Sequence, residues 1–142
     1  MGLNVADRAY GIDVSHHQET VDWTKVAGAG ISFAYAKASE GMNADPLFPA
    51  NWAGMKAAGV IRGAYHFFRP KTDPAAQASH FCALVGALDP ADLPPMVDLE
   101  PAGLTQTSTP TPDTAMGAGT LVIPNISRRA LTSASSLASR CR

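Results

Sequence analysis

Between residues 10 and 101 the spacing of apolar positions alternates between a period of two and a period near 3.6. Tyr10 to Ser15 (YGIDVS) alternates and reads as a short strand, with Asp13 facing opposite to Ile12 and Val14 near its C-terminal end. Asp22 can cap a short helix whose first turn is Trp23-Thr24-Lys25, ending at Gly28 or Gly30. Ile31 to Ser39 (ISFAYAKAS) reads as a second strand, with Ile31, Phe33, Tyr35 and Lys37 on one face and small residues on the other. Glu40-Gly41 then opens a loop running to Asp45-Pro46. Ala50 to Ala58 is helical in composition, and Gly59 stands where a left-handed cap is wanted. Val60 to Phe68 (VIRGAYHFF) is nearly all apolar and aromatic, as in a strand covered on both faces. Asp73-Pro74 caps and starts a third helix, and Ala78, Phe81, Cys82 and Val85 follow as one buried stripe. A Pro94-Pro95 stop then delivers the chain to Met96-Val97-Asp98-Leu99-Glu100, closed by Pro101 and read as a buried strand.

This β-α-β-α-β-α-β order, with short connections and mostly apolar strands, predicts a parallel α/β sheet. The sheet could be an open doubly wound layer or part of a barrel. No G-x-G-x-x-G or phosphate loop follows the first strand, which argues against a dinucleotide site. Asp13, Lys37 and the pair Asp98 and Glu100 all fall at C-terminal strand ends, where α/β barrels build their active sites. Residues two apart on a strand share a face, so Asp98 and Glu100 have Cα atoms roughly 7 Å apart and pointing the same way. Such a pair suits two-carboxylate chemistry, although the spacing alone does not choose between a retaining and an inverting route. Each residue also has a plainer reading: Asp13 as a turn residue, Lys37 as a solvated strand end, the acidic pair as a strand leaving the core. His16 and His17 are adjacent and should point apart, which makes them a poor metal clamp, with one exposed and one packed. His66 reads as a satisfied core histidine. A metal hydrolase using Asp13, His16, Asp98 and Glu100 is a competing chemistry, but no H-x-H or H-E-x-x-H spacing supports it.

Composition narrows the partners. The formal net charge of −1 gives no electrostatic footprint for nucleic acid or an anionic membrane. No apolar run approaches the roughly 18 residues of a membrane span, and residues 1–10 lack the pattern of a signal peptide. Localisation is therefore not readable from the N-terminus. Cys82 and Cys141 stand in very different contexts; Cys82 is expected as a buried thiol, and no disulfide framework is indicated. No obligate protein partner is evident.

The strings GIDVSHHQ, AYAKASEG, DPLFPANWAGMKAAGVIRGAYHFF, DPAAQASHF and PPMVDLE, in that order over residues 9–101, resemble the N-terminal half of family 25 glycoside hydrolases, the Chalaropsis-type lysozymes. The resemblance implies an incomplete TIM-like β/α barrel, here its first four β/α units. It implies hydrolysis of the β-1,4 bond between N-acetylmuramic acid and N-acetylglucosamine in peptidoglycan glycan strands, without metal or organic cofactor. The setting of that reaction is a cell wall, outside the cell or during phage lysis. By motif position, Glu100 is similar to the general acid/base and Asp98 to the residue that orients the substrate's acetamido group. Asp13 is similar to the acidic residue of the family's first strand, and Lys37, Tyr65 and Tyr35 to residues shaping the saccharide subsite. Aromatic side chains of the second and third strands would stack on sugar faces, whereas Phe33, Phe67 and Phe68 read as ordinary core.

Ala102 to Arg142 is rich in Ser, Thr, Ala, Pro and Gly and has no Phe, Tyr or Trp; its one strand-like run, Leu121-Val122-Ile123, stops at Pro124. Such a composition is expected to be largely disordered. Two domains are expected: a partial hydrolase domain at 9–101 and a low-complexity tail at 102–142. The tail reads either as an out-of-frame translation or as a true linker, and the truncated chain is expected to be poorly stable or inactive.

Overall fold

The computed structural model describes residues 9–100. The elements run β1 (Tyr10–Val14), α1 (Trp23–Gly28), β2 (Ile31–Glu40), β3 (Asn43–Ala44), α2 (Phe48–Ala57), β4 (Ile61–Phe67), α3 (Pro74–Val85) and β5 (Met96–Asp98), with a 3-10 turn His16–Gln18 after β1. The tail from Ala102 to Arg142, with Leu121-Val122-Ile123 and Cys141, lies outside the described residues.

The helix starts follow local chemistry. Asp22 and Asp73 each accept a backbone N–H three residues on, from Lys25 at 3.1 Å and from Ala76 at 2.8 Å. α2 lacks such a cap at Leu47, and instead the Leu47 N–H donates to Asp45 Oδ1 at 3.0 Å. Gly59, at φ +73°, ends the α2 turn in the left-handed region that a residue with Cβ enters at a cost.

Strands β1, β2, β4 and β5 lie side by side in that order, all parallel, while β3 folds back antiparallel on the end of β2. Ala34, Ala36 and Ala38 of β2 are fully buried and form one cluster with Trp23 of α1, Phe48 and Met55 of α2, and Ala78, Phe81 and Val85 of α3. All three helices thus cover one face of the sheet, and successive strands are neighbours. A doubly wound layer would place helices on both faces and reverse the strand order. The arrangement is that of an incomplete α/β barrel.

Small residues on β2 let the helices come close, and one helix contact is equally tight. A Cβ on Gly54 would sit 2.3 Å from the Trp23 ring, so α2 accepts the α1 indole only because that position is bare. The indole N–H donates to Asn51 Oδ1 at 3.2 Å. His66 is the polar centre of the helix side. Its Nε2 lies 3.0 Å from Gln77 Oε1 and its Nδ1 2.8 Å from Ser39 Oγ. The Gln77 amide nitrogen donates to the carbonyls of Arg69 and Thr72, both at 2.9 Å, which fixes Oε1 as the acceptor. His66 therefore carries its proton on Nε2 and accepts from Ser39. Burial holds its pKa below the ordinary range, so it is a satisfied neutral core histidine, as the sequence predicts.

The loop that leads to β5 is fastened from both faces of the sheet. Arg62 Nε donates to Asp92 Oδ1 at 2.7 Å and its Nη2 to Asp89 Oδ2 at 2.9 Å, while the guanidinium lies 4.1 Å over the Trp52 ring. The Leu93 N–H donates to the Arg62 carbonyl at 2.8 Å. On the opposite face, Tyr35 Oη donates to the Pro94 carbonyl at 3.0 Å.

Cys82 corrects one expectation: it is half-buried and disulfide-bonded rather than a free buried thiol. Phe33, Phe67 and Phe68 correct another, since none belongs to the helix-packed core.

Candidate active site

The face of the sheet turned away from the helices carries the candidate chemistry. Register places Asp13 beside Tyr35 and Gly63, Lys37 beside Tyr65, and Phe67 beside Asp98. Aromatic rings are laid flat here by glycines on neighbouring strands: a Cβ on Gly11 would lie 2.2 Å from the Phe33 ring, and one on Gly63 2.4 Å from the Tyr35 ring. These rings form an apolar floor, and the charged groups stand along its C-terminal edge.

A bulge in β2 decides which residues those are. Lys37 pairs with Tyr65 and Ser39 with His66, so Ala38 is an extra residue against β4. Strict alternation would send Ser39 to the site face and Glu40 to the helix face. The bulge reverses both: Ser39 reaches His66, and Glu40 joins Phe67 and Asp98 in one row. Lys37 Nζ then donates to Glu40 Oε2 at 2.9 Å and lies 5.1 Å over the Phe67 ring. Arg69 reaches the other oxygen, with Nε donating to Glu40 Oε1 at 3.0 Å, and its guanidinium is 4.8 Å over the same ring. The Lys37 hydrogen bond, followed by that of Arg69, holds the Glu40 carboxyl below its ordinary pKa. Glu40 is a site residue that the sequence pattern assigned to a loop, and only the bulge reveals it.

The carboxylates predicted from sequence do come within electrostatic reach of one another. Burial raises the Asp98 pKa, and the negative charges of Glu100 and then Asp13 raise it further, while Lys37 opposes them. Asp98 ends β5, and Glu100 follows it as an exposed residue just outside the strand. Tyr65 is buried between these groups, shares a hydrogen bond with Ser15, and has its phenol pushed up first by burial and then by Asp13 and Asp98. Tyr35 is held by the Pro94 carbonyl, and burial also raises its pKa. Asp13, Lys37, Tyr65, Asp98 and Glu100 therefore converge, with Tyr35 one step behind as part of the floor.

His16 and His17 do not diverge as an extended chain would make them. The 3-10 turn closed by Ser15 and Gln18 turns both rings to one side, 4.0 Å apart, and both residues are exposed. His16 Nδ1 lies 2.7 Å from Asp45 Oδ2, which also accepts the His16 backbone N–H at 3.0 Å. Burial pushes the Asp45 carboxyl up, but these hydrogen bonds outweigh it and leave the pKa below the ordinary value. Beside this pair opens a cleft of about 330 Å³ that shares Lys37 and Glu40 with the acidic site. Among the described residues no three His, Cys, Asp or Glu side chains cluster as a metal site, and no helix is long and apolar enough to cross a membrane.

Comparison with known proteins agrees with this geometry. Lysozyme M1 of Streptomyces globisporus is 48% identical over 94 residues, covering 63% of this chain and 32% of its own length. The N,O-diacetylmuramidase of Chalaropsis is 39% identical over 100 residues, covering 66% of this chain and 47% of its own. The crystal structure of a bacterial lysozyme from Streptomyces coelicolor superposes with a TM-score of 0.59 at 45% identity, over 64% of this chain and 44% of that one. A family 25 glycosyl hydrolase from Bacillus anthracis gives a TM-score of 0.63 at 30% identity, over 69% of this chain and 45% of that one. The chain thus spans between about a third and a half of the relatives it matches. The family model for glycosyl hydrolases family 25 matches residues 12–121, and the chain belongs to that family.

Proposed function

We propose that this chain is the N-terminal half of a peptidoglycan N-acetylmuramidase, hydrolysing the β-1,4 bond between N-acetylmuramic acid and N-acetylglucosamine. The observation that carries the reading is that Glu100 and Asp13 lie near enough to Asp98, at the C-terminal end of the sheet, for their charges to add to burial in raising its pKa. Gathering like charges is costly in the resting protein and favourable when positive charge develops on an anomeric carbon, so the cluster is complementary to a glycosidic transition state. Glu100 protonates the leaving oxygen and later activates water. Asp98 holds the 2-acetamido group so that its oxygen can attack the anomeric carbon, the substrate-assisted variant. Asp13 and Lys37 frame the same sugar, with Tyr65 and the Tyr35 floor lining its subsite. The names of the lysozyme and muramidase relatives support the same substrate class.

A second reading, glycan binding without cleavage, draws on the fraction of its relatives that the chain spans. The two separate in one experiment. The first expects a peptidoglycan suspension to clear with the 142-residue chain and to stay turbid with Glu100→Gln. Sedimentation of the chain with peptidoglycan and no clearing supports the second, and neither clearing nor sedimentation removes both.

A further inference from the structure

Gln77 lies on the helix side of the sheet and is fully buried, yet its amide is spent mostly on the connection between β4 and α3. Its Oε1 accepts the Arg69 backbone N–H at 3.0 Å as well as the proton of His66 Nε2. Its Nε2 donates to the Arg69 and Thr72 carbonyls, both at 2.9 Å. One side-chain amide thus pairs with both main-chain groups of Arg69, as a neighbouring strand would. The connection is anchored at that residue from inside the core.

From that anchor the Arg69 side chain crosses to the site face. Its stem passes over Gly41, where a Cβ would stand 3.2 Å from Arg69 Cγ. The guanidinium lies 4.8 Å over the Phe67 ring, and Nε donates to Glu40 Oε1 at 3.0 Å. The Gly41 N–H donates to the Phe67 carbonyl at 3.1 Å, so the turn that carries Glu40 is tied to the same strand end. With Oε1 taken, Glu40 offers Oε2 to Lys37 Nζ at 2.9 Å, over the same ring. The Lys37 charge also bears on Asp98, so the direction in which Nζ is held matters to the acidic cluster. The Arg69 side chain is 48% exposed, and an ion pair so placed is weak when its partners are free to wander. A fixed backbone supplies the aim that the ion pair lacks. We propose that Gln77 is a positioning residue of the site: by clamping both backbone groups of Arg69 it aims the guanidinium at Glu40, and Glu40 in turn holds Lys37 over Phe67 instead of against Asp98. The consequence for catalysis rests on the glycan-cleaving reading, whereas the clamp stands on the geometry alone.

The test compares the full wild-type chain with Gln77→Met, Arg69→Ala and the double variant. Two NMR signals are followed: solvent exchange of the Arg69 Nε–H, and the titration of the Glu40 carboxyl carbon, which the wild type holds below its ordinary range. Gln77→Met should speed the Arg69 exchange and move the Glu40 titration upward as far as Arg69→Ala moves it. The double variant should move it no further, because both changes break one chain of contacts. Each single variant should clear peptidoglycan about tenfold more slowly, the worth of a small misplacement, and the double variant should be no slower than either. A folded Gln77→Met with wild-type Arg69 exchange and Glu40 titration, or effects that add in the double variant, overturns the proposal. If Gln77→Met does not fold, the same two signals are read on Gln77→Asn, whose amide is withdrawn by one methylene. Loss of the fold there as well also overturns it, since Gln77 would then hold the core and not the site. If the wild type clears nothing while the two signals remain coupled as stated, the glycan-cleaving reading fails and the clamp survives.

Discussion

β2 has two faces that solve opposite problems. Toward the helices it presents Ala34, Ala36 and Ala38, whose lack of bulk lets three helices pack close, and the buried polar Ser39 there is bonded to His66. Toward the site it presents Phe33, Tyr35, Lys37 and Glu40, with rings resting on glycines and charges balanced by more charges. One face is almost wholly apolar; the other concentrates charge at the C-terminal end of the sheet. The contrast teaches that the cost of gathering carboxylates is carried by a scaffold whose polar centre, Ser39, His66 and Gln77, is fully hydrogen-bonded.

The contrast can be broken most strongly on the site face. Glu100→Gln should cost about 10²- to 10⁴-fold in glycan cleavage, the worth of a general acid, while the melting temperature stays within a degree or two of the wild type. A loss of activity matched by a loss of fold would erase the division between the faces.

On the helix face, His66→Leu strands Ser39 Oγ and Gln77 Oε1 without their histidine partner, and should destabilise the chain by about 2–4 kcal/mol in urea titrations. Its pH signature is distinctive. His66 has its pKa depressed in the fold, so its contribution is present above the ordinary value of 6.5 and is lost as pH falls from there. His66→Leu should remove that acid sensitivity; an unchanged stability–pH curve would count against the network.

Gly63→Val drives a side chain into the Tyr35 ring, which must leave the Pro94 carbonyl. A cost of about 1–3 kcal/mol is expected, with glycan cleavage falling further than stability because the floor tilts. The smallest effect on stability is at Asp98→Asn. The raised Asp98 pKa means its ionised form is disfavoured in the fold, so the penalty is absent at acid pH and grows as pH rises through the folded value. Asp98→Asn should therefore melt slightly higher than wild type at pH 7, with the gain vanishing near pH 3, and should be inactive throughout.

Much of this was legible in the chain. The parallel order, the caps at Asp22 and Asp73, the His66 core role and the convergence of Asp13, Lys37, Asp98 and Glu100 follow from period, capping chemistry and strand ends. Periodicity failed at Ala38, because an inserted residue shifts the alternation without leaving a mark in composition, and Glu40 was hidden behind it. It failed again at His16, where a 3-10 turn replaced an extended chain and the partner, Asp45, lies 29 residues away. Aromatic residues were read as core by type, yet Phe33 and Phe67 serve the other face because glycines across the ladder receive the Phe33 ring and cations cover the Phe67 ring.

The fastening of the approach to β5 has a practical consequence. Arg62 and Tyr35 grip the chain before the strand begins, whereas Asp98 and Glu100, the carboxylates proposed to act on the glycan, come at and after its last residue. Anchorage and the proposed reactivity thus fall to different residues, and removing the second should leave the first intact. On the proposed reading, a chain neutralised at Glu100 should keep the strand where it was and hold a glycan without cutting it, the form in which an intact substrate could be seen in place.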